Sequence, residues 1–97
     1  MKHITRIVTQ CADNHGGDAV CVSSYYLKVK DDADDAWTDV CGTDSCPQLF
    51  TGNDNANDMN ALVTNVFDWP IAARFVRLDP WSYIAWIGLR WELYGCE

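Results

Sequence analysis

The chain has 97 residues, with 7 basic against 14 acidic side chains and a formal net charge of −7. That length allows one domain with a marginal core, because a chain of this size buries only about 60–65% of its unfolded surface. The charge speaks against nucleic-acid binding and against a polybasic lipid anchor, while 48% hydrophobic content is too much for a disordered chain and no apolar run reaches bilayer length.

Residues 1–10 alternate, with Ile4, Arg6 and Val8 on one face and Thr5, Ile7 and Thr9 on the other, which predicts a strand. The same stretch lacks the apolar segment and small-residue cleavage site of a signal peptide. Residues 20–30 are rich in β-branched and aromatic side chains and end at an Asp cluster, predicting a second strand. Short strands are expected at 37–41 and 48–51, bracketing Gly42 to Ser45. Two late strands follow at 73–78 and 86–94, separated by a turn at Asp79-Pro80. In the last, Ile87, Leu89, Trp91 and Leu93 share one face and Trp86, Gly88, Arg90, Glu92 and Tyr94 the other, the period of a half-buried strand. Many short strands without an amphipathic helix predict an all-β antiparallel sandwich or barrel.

From Asp31 to Ala73 there are nine acidic residues and no Lys or Arg. Solvated, turn-forming Asp and Asn account for this segment. An EF-hand does not: counting from Asp54 the third position is Ala56, from Asp32 the fifth is Ala36, and neither has glycine at the sixth. No cofactor is expected, with a non-EF-hand calcium site left open.

The residues from Asn65 to Pro80, with Phe67, Asp68, Trp69, Pro70, Arg74, Phe75, Val76, Arg77 and Leu78, and those from Ile87 to Cys96 resemble the discoidin family, the coagulation factor V/VIII type C domain. Ile7-Val-Thr-Gln10, Val22 to Tyr25, Trp37 and Phe50-Thr-Gly-Asn53 agree in order. The resemblance covers residues 1–97 as the C-terminal two thirds of such a domain, N-terminally incomplete. It implies a jelly-roll-like β-sandwich of the galactose-binding-domain type, an extracellular or secreted setting, and a non-catalytic binding role through loops at one end.

Five cysteines fit that setting. Cys96 resembles the family's terminal cysteine, whose partner lies in the segment the chain lacks, so Cys96 is expected to be unpaired. Cys11 with Cys21 and Cys41 with Cys46 are the preferred bridges, each pinning one loop between neighbouring strands, although two bridges among five cysteines allow fifteen arrangements. A zinc site from Cys11, Cys21, His15 and His3 lacks the usual spacing, and no metal is expected.

In membrane-binding relatives the loop matching 11–21 carries exposed leucines, as the resemblance implies. Here it carries Asp13, Asn14, His15 and Asp18, whose carboxylates an anionic leaflet would repel. The expected partner is therefore a glycan or a cell-surface or matrix protein, with phosphatidylserine-dependent membrane targeting as the alternative. No Arg lies between Arg6 and Arg74, which gives no support to a fucose-type Arg/Asp/Arg site. Asp13, Asn14, His15, Asp18, Trp81 and Tyr83 are the candidate ligand residues. For Trp81, Tyr83 and Trp86 the competing reading is packing in the core, while Trp37 and Trp69 are expected to be core or strand-end residues. Arg74, Arg77 and Arg90 are expected to pair with Asp68, Asp79 or Glu92 on the sheet surface. No nucleophile, zinc-protease or phosphate-loop motif is present, so no enzyme is expected.

Overall fold

A computed structural model describes residues 2–13, 19–54, 61–84 and 89–96, with side chains at 3–12, 20–54, 61–83 and 89–95. Its elements are all strands: β1 (Lys2–Gln10), β2 (Ala12–Asp13), β3 (Ala19–Lys30), β4 (Thr38–Asp39), β5 (Phe50–Thr51), β6 (Val63–Ala73), β7 (Phe75–Ile84) and β8 (Arg90–Cys96). They form two antiparallel sheets, one of three strands in the order β6-β1-β8 and one of five built on the long β3. Strand β7 runs along one side of β3, while β4 and β5 pair with its other side. The all-β sandwich expected from the strand pattern is thus the observed architecture.

The core lies between the sheets. Ile4, Ile7, Val22, Tyr25, Leu27, Val40, Phe50, Phe67 and Ala73 form one buried cluster, with Val29, Ile71, Val76, Leu78, Leu89 and Leu93 packed at its margin. Inward alternation along β3 supplies Val22, then Tyr25, Leu27 and Val29, while Tyr26, Lys28 and Lys30 turn outward. Tyr25 stacks on Phe50 and Phe50 meets Phe67 edge-on, joining the two sheets through aromatic contacts. The Tyr25 hydroxyl, sealed in this cluster, accepts a hydrogen bond from Asn65 Nδ2 at 3.1 Å, and burial pushes its pKa up to about 12.

Four expectations are corrected. Strict alternation in β1 fails, because both partners shift register between Ile4 and Arg6. The extra residue, Thr5, lets Ile4 and Ile7 face the core together and leaves Arg6 exposed. The same shift leaves four residues of β6, Phe67 to Pro70, opposite Thr5 alone. Pro70 has no N–H to give a ladder, and the bulge on this edge strand is where it is tolerated. Asp79-Pro80 is not a turn: β7 continues through it in register with Tyr26 and Tyr25. The reversal lies earlier, at Arg74 between β6 and β7, where Arg74 N donates to Lys30 O. The expected strand at 37–41 shrinks to Thr38–Asp39 and that at 48–51 to Phe50–Thr51; of the expected last strand, residues 86–88 lie outside the described ones, and β8 is observed from Arg90 to Cys96.

Candidate ligand-binding end of the sandwich

Strand register decides which connections lie together. Ala12 and Asp13 pair with Val20 and Ala19, so the connection through 14–18 leaves the start of β3. Cys21 pairs with Ile84, and Gln10 with Arg90, so the connection from β7 to β8 leaves the same end. Thr9 pairs with Val63, which brings the β5-to-β6 connection there too. The described residues that flank three sequence-distant connections therefore lie at one end of the sandwich, while Lys2, His3, Lys30 and Phe75 mark the other.

The base beneath these connections is rigid. Cys11 and Cys21 are bridged, with Cα atoms 4.5 Å apart, and both residues are fully buried. Arg90 Nε donates to the Cys11 carbonyl at 3.1 Å, tying the start of β8 to the bridge. Thr9 Oγ1 donates to Asn53 Oδ1 at 2.8 Å, and Asn53 Nδ2 donates to the Ala61 carbonyl at 3.0 Å. One buried amide thereby spans both feet of the 54–60 connection and binds them to β1. Gly52 and Asn53 donate their N–H groups to Ser23 and Val22 carbonyls at 2.8 and 2.9 Å. A Cβ at Gly52 would sit 2.3 Å from the Val22 carbonyl oxygen, so this close approach requires glycine. The hydroxyls of Ser23 and Ser24 both meet that of Ser82, stitching β3 to β7 beside the same end.

The predicted site residues divide sharply. Asp13 lies in β2 next to the bridge, its side chain outside the described ones. Asn14, His15 and Asp18 lie outside the described residues, as does Trp86. Trp81 and Tyr83 are on β7 near this end, and they are not core residues: Trp81 is 67% exposed and Tyr83 51%. The physical reason is a register shift. Ser24 pairs with Ser82 and Tyr25 with Pro80, so Trp81 is the extra residue, turned outward to meet Tyr26 edge-on at 5.6 Å. Trp69, on the β6 bulge, is likewise exposed at 51% rather than buried. Trp37 lies on the outer sheet face, with Lys30 Nζ 4.5 Å and Arg77 Cζ 5.2 Å from its ring.

The arginine expectation holds in part. Arg77 pairs with Asp79 at 2.9 Å. Arg90 instead serves the Cys11 carbonyl, and Glu92 accepts from the Tyr94 hydroxyl, which raises the tyrosine pKa. Asp68 accepts from Thr43 N at 2.7 Å and Thr43 Oγ1 at 2.8 Å, and these bonds hold its carboxyl below the usual carboxylate range. Cys41 and Cys46 are bridged within the segment that Asp68 steadies. Both expected bridges are thus present; the side chain of Cys96 is outside the described residues.

Sequence reasoning missed Asn53, Thr9, Ser82 and Arg90. The fragment Phe50-Thr-Gly-Asn53 was visible, but nothing local signals that the Asn amide bridges a loop to a strand 44 residues away. Among the described residues grooves also lie away from this end. One of about 410 Å³ runs past Val29, Lys30, Asp35 and Thr38 at the opposite end. There Lys30 is engaged by the Ala33 carbonyl and Trp37, and Asp35 by the Asp32 N–H, so the groove presents occupied polar groups. Among the described residues no group of three or more His, Cys, Asp or Glu side chains is arranged to hold a metal ion.

Comparison with known proteins agrees with this geometry. A family model described as the F5/8 type C domain matches residues 1–93. Neurexin-4 of Drosophila melanogaster is 38% identical over 76 residues, which is 78% of this chain and 6% of that protein. Coagulation factor V of Bos taurus is 35% identical over 98 residues, covering 100% of this chain and 4% of the relative. The solved structure of recombinant discoidin II of Dictyostelium discoideum superposes with a TM-score of 0.78 at 32% identity, covering 99% of this chain and 34% of that one. The chain therefore spans about a third or less of the length of each of these proteins.

Proposed function

The chain belongs to the F5/8 type C domain family, and from that membership we propose that it is an extracellular, non-catalytic binding module that recognises a glycan or a cell-surface or matrix protein at the Cys11–Cys21 end of the sandwich. The observation that supports this most directly is that the described strand ends flanking three connections lie together at one end, fixed by a buried bridge and the Thr9–Asn53–Ala61 hydrogen bonds. Binding loops on a rigid scaffold lose less conformational entropy when a ligand arrives. Trp81 and Tyr83 offer exposed aromatic faces beside that end, suited to stacking on a sugar ring or filling a protein pocket. Two bridges also suit an oxidising, extracellular setting.

The test is retention of the chain on an immobilised panel of glycans and matrix proteins, run beside vesicles with and without phosphatidylserine. Retention on one class of panel member is expected, weakened about tenfold by Trp81→Ala or Tyr83→Ala at unchanged melting temperature. Salt-resistant retention on phosphatidylserine vesicles alone would replace this reading with membrane targeting.

A further inference from the structure

A groove of about 300 Å³ opens on the flank where β4 and β6 face each other, across β3 from β7 and across β1 from β8. Trp69, Pro70 and Ile71 of β6 form one wall, and Asp39, Val40 and Cys41 form the other. The lining is mostly apolar, and the size falls at the lower end of the ligand-pocket range, about 300–1,000 Å³. Both walls are held in place. The Cys41–Cys46 bridge closes the loop that follows β4, and Asp68 accepts from Thr43 N and Oγ1, which ties that loop to β6. The β6 bulge leaves the Trp69 indole 51% exposed at the groove, where a bound side chain could cover it.

Charge selects the occupant's sign. The stretches that build this flank, 31–53 and 61–73, carry seven carboxylates and no Lys or Arg. Lys28 of β3 neutralises Asp39, whereas Asp31 and Asp34 have no ion-pair partner among the described residues. Asp31 lines the adjoining 410 Å³ groove, which shares Val29 and Ala72 with this one, so its charge stands at the groove's lower end. Such a negative field favours a cationic partner. Backbone geometry selects the occupant's shape. Val40 N donates to the Leu27 carbonyl, so Val40 and Thr38 turn their backbone groups toward β3. Asp39 between them turns its N–H and C=O the other way, to the mouth of the groove. An extended segment laid there would bond to Asp39, send every second side chain into the groove toward Trp69 and Ile71, and hold the rest out among the carboxylates.

We propose that this flank groove captures an extended segment of a partner protein in which apolar residues alternate with Lys or Arg. Selection from a random library of peptides about twelve residues long tests it, on oxidised chain with any free thiol alkylated. Enriched peptides are expected to show that alternation, to shift the Asp39 and Ile71 amide resonances, and to bind more weakly as salt rises. Trp69→Ala should weaken them about tenfold and Asp31→Lys about threefold. Both side chains are exposed, so the melting temperature should stay where it is. Trp81→Ala, at the Cys11–Cys21 end, should leave peptide binding intact, which keeps this site separable from the one proposed there. No enrichment, acidic or uncharged winners, or peptides that bind Trp69→Ala as tightly as the parent would each overturn the proposal. So would peptides that Trp81→Ala releases. Glycan retention lost in Trp69→Ala, with no peptide selected, would replace the peptide with a sugar.

Discussion

The two disulfide-closed loops of this domain look alike in sequence and behave as different kinds of object in the fold. Cys11 and Cys21 are fully buried, flank the β2–β3 pairing, and receive Arg90 and the Thr9–Asn53 pair around them. Cys46 is exposed and Cys41 half-buried, and their loop rests on one backbone bond from Gly42 to Ser45 and on Asp68. Loop-closure entropy depends only weakly on loop length, so separations of 10 and 5 residues give similar contributions. What separates the bridges is the company each keeps: one is part of the core, the other clips a surface segment.

The largest effect expected from breaking this contrast comes from removing the inner bridge. Replacing Cys11 and Cys21 by Ala should cost about 3–5 kcal/mol, loop entropy plus lost packing, against about 2 kcal/mol for the Cys41/Cys46 pair. Denaturant melts of both double variants measure it, and equal losses would erase the distinction. Mild reductant should likewise open Cys41–Cys46 first, since thiolate attack needs access, as mass mapping after partial alkylation would record.

Next in size is Tyr25, which sits between the two loops in the core. Its pKa, raised to about 12, exceeds the unfolded value near 10, so the folded state holds its proton more tightly. Stability from this group is complete below pH 10 and is lost as pH rises through 12, a fall of about 2–3 kcal/mol. Tyr25→Phe should flatten that alkaline slope while costing about 1 kcal/mol at neutral pH through the lost Asn65 bond.

The smallest effect belongs to the outer loop. Asp68 has its pKa lowered by the Thr43 bonds, so its contribution is present above the ordinary carboxylate range and fades as pH falls through the lowered value. Asp68→Asn should speed amide exchange at Thr43, remove that acid dependence, and leave the melting temperature almost unmoved. A large loss of global stability would show that the outer loop, too, is part of the core.

Much of this architecture can be read from local pattern. The long β3 follows from its β-branched and aromatic run, and the period of two places Leu89 and Leu93 on the core side of the last strand. The family is legible in the spaced motifs from Ile7 to Cys96, and the two bridges preferred among fifteen arrangements are both present. What alternation cannot carry is a register shift, because an extra residue such as Thr5 or Trp81 is defined by the partner strand and not by its own neighbours. That is why alternation sets Ile4 and Ile7 on opposite faces and leaves a core reading of Trp81 open beside the ligand reading. Pro80 misled for a similar reason: proline beside aspartate signals a turn, unless the strand can absorb the missing donor. At the candidate site the bridge was legible, while Asn53 and Arg90 were not, since their partners lie 44 and 79 residues distant.

The fault at Thr5 crosses the whole three-stranded sheet, because β6 and β8 both change register against β1 between Ile4 and Arg6. In a crystal such a line would be a dislocation, and a dislocation pinned on both sides cannot glide. Sliding β1 by one residue would move its extra residue away from two matching irregularities at once, and would turn Ile7 out of the core. The defect in the ladder is therefore what locks the lattice: the sheet can pull apart, but it cannot creep.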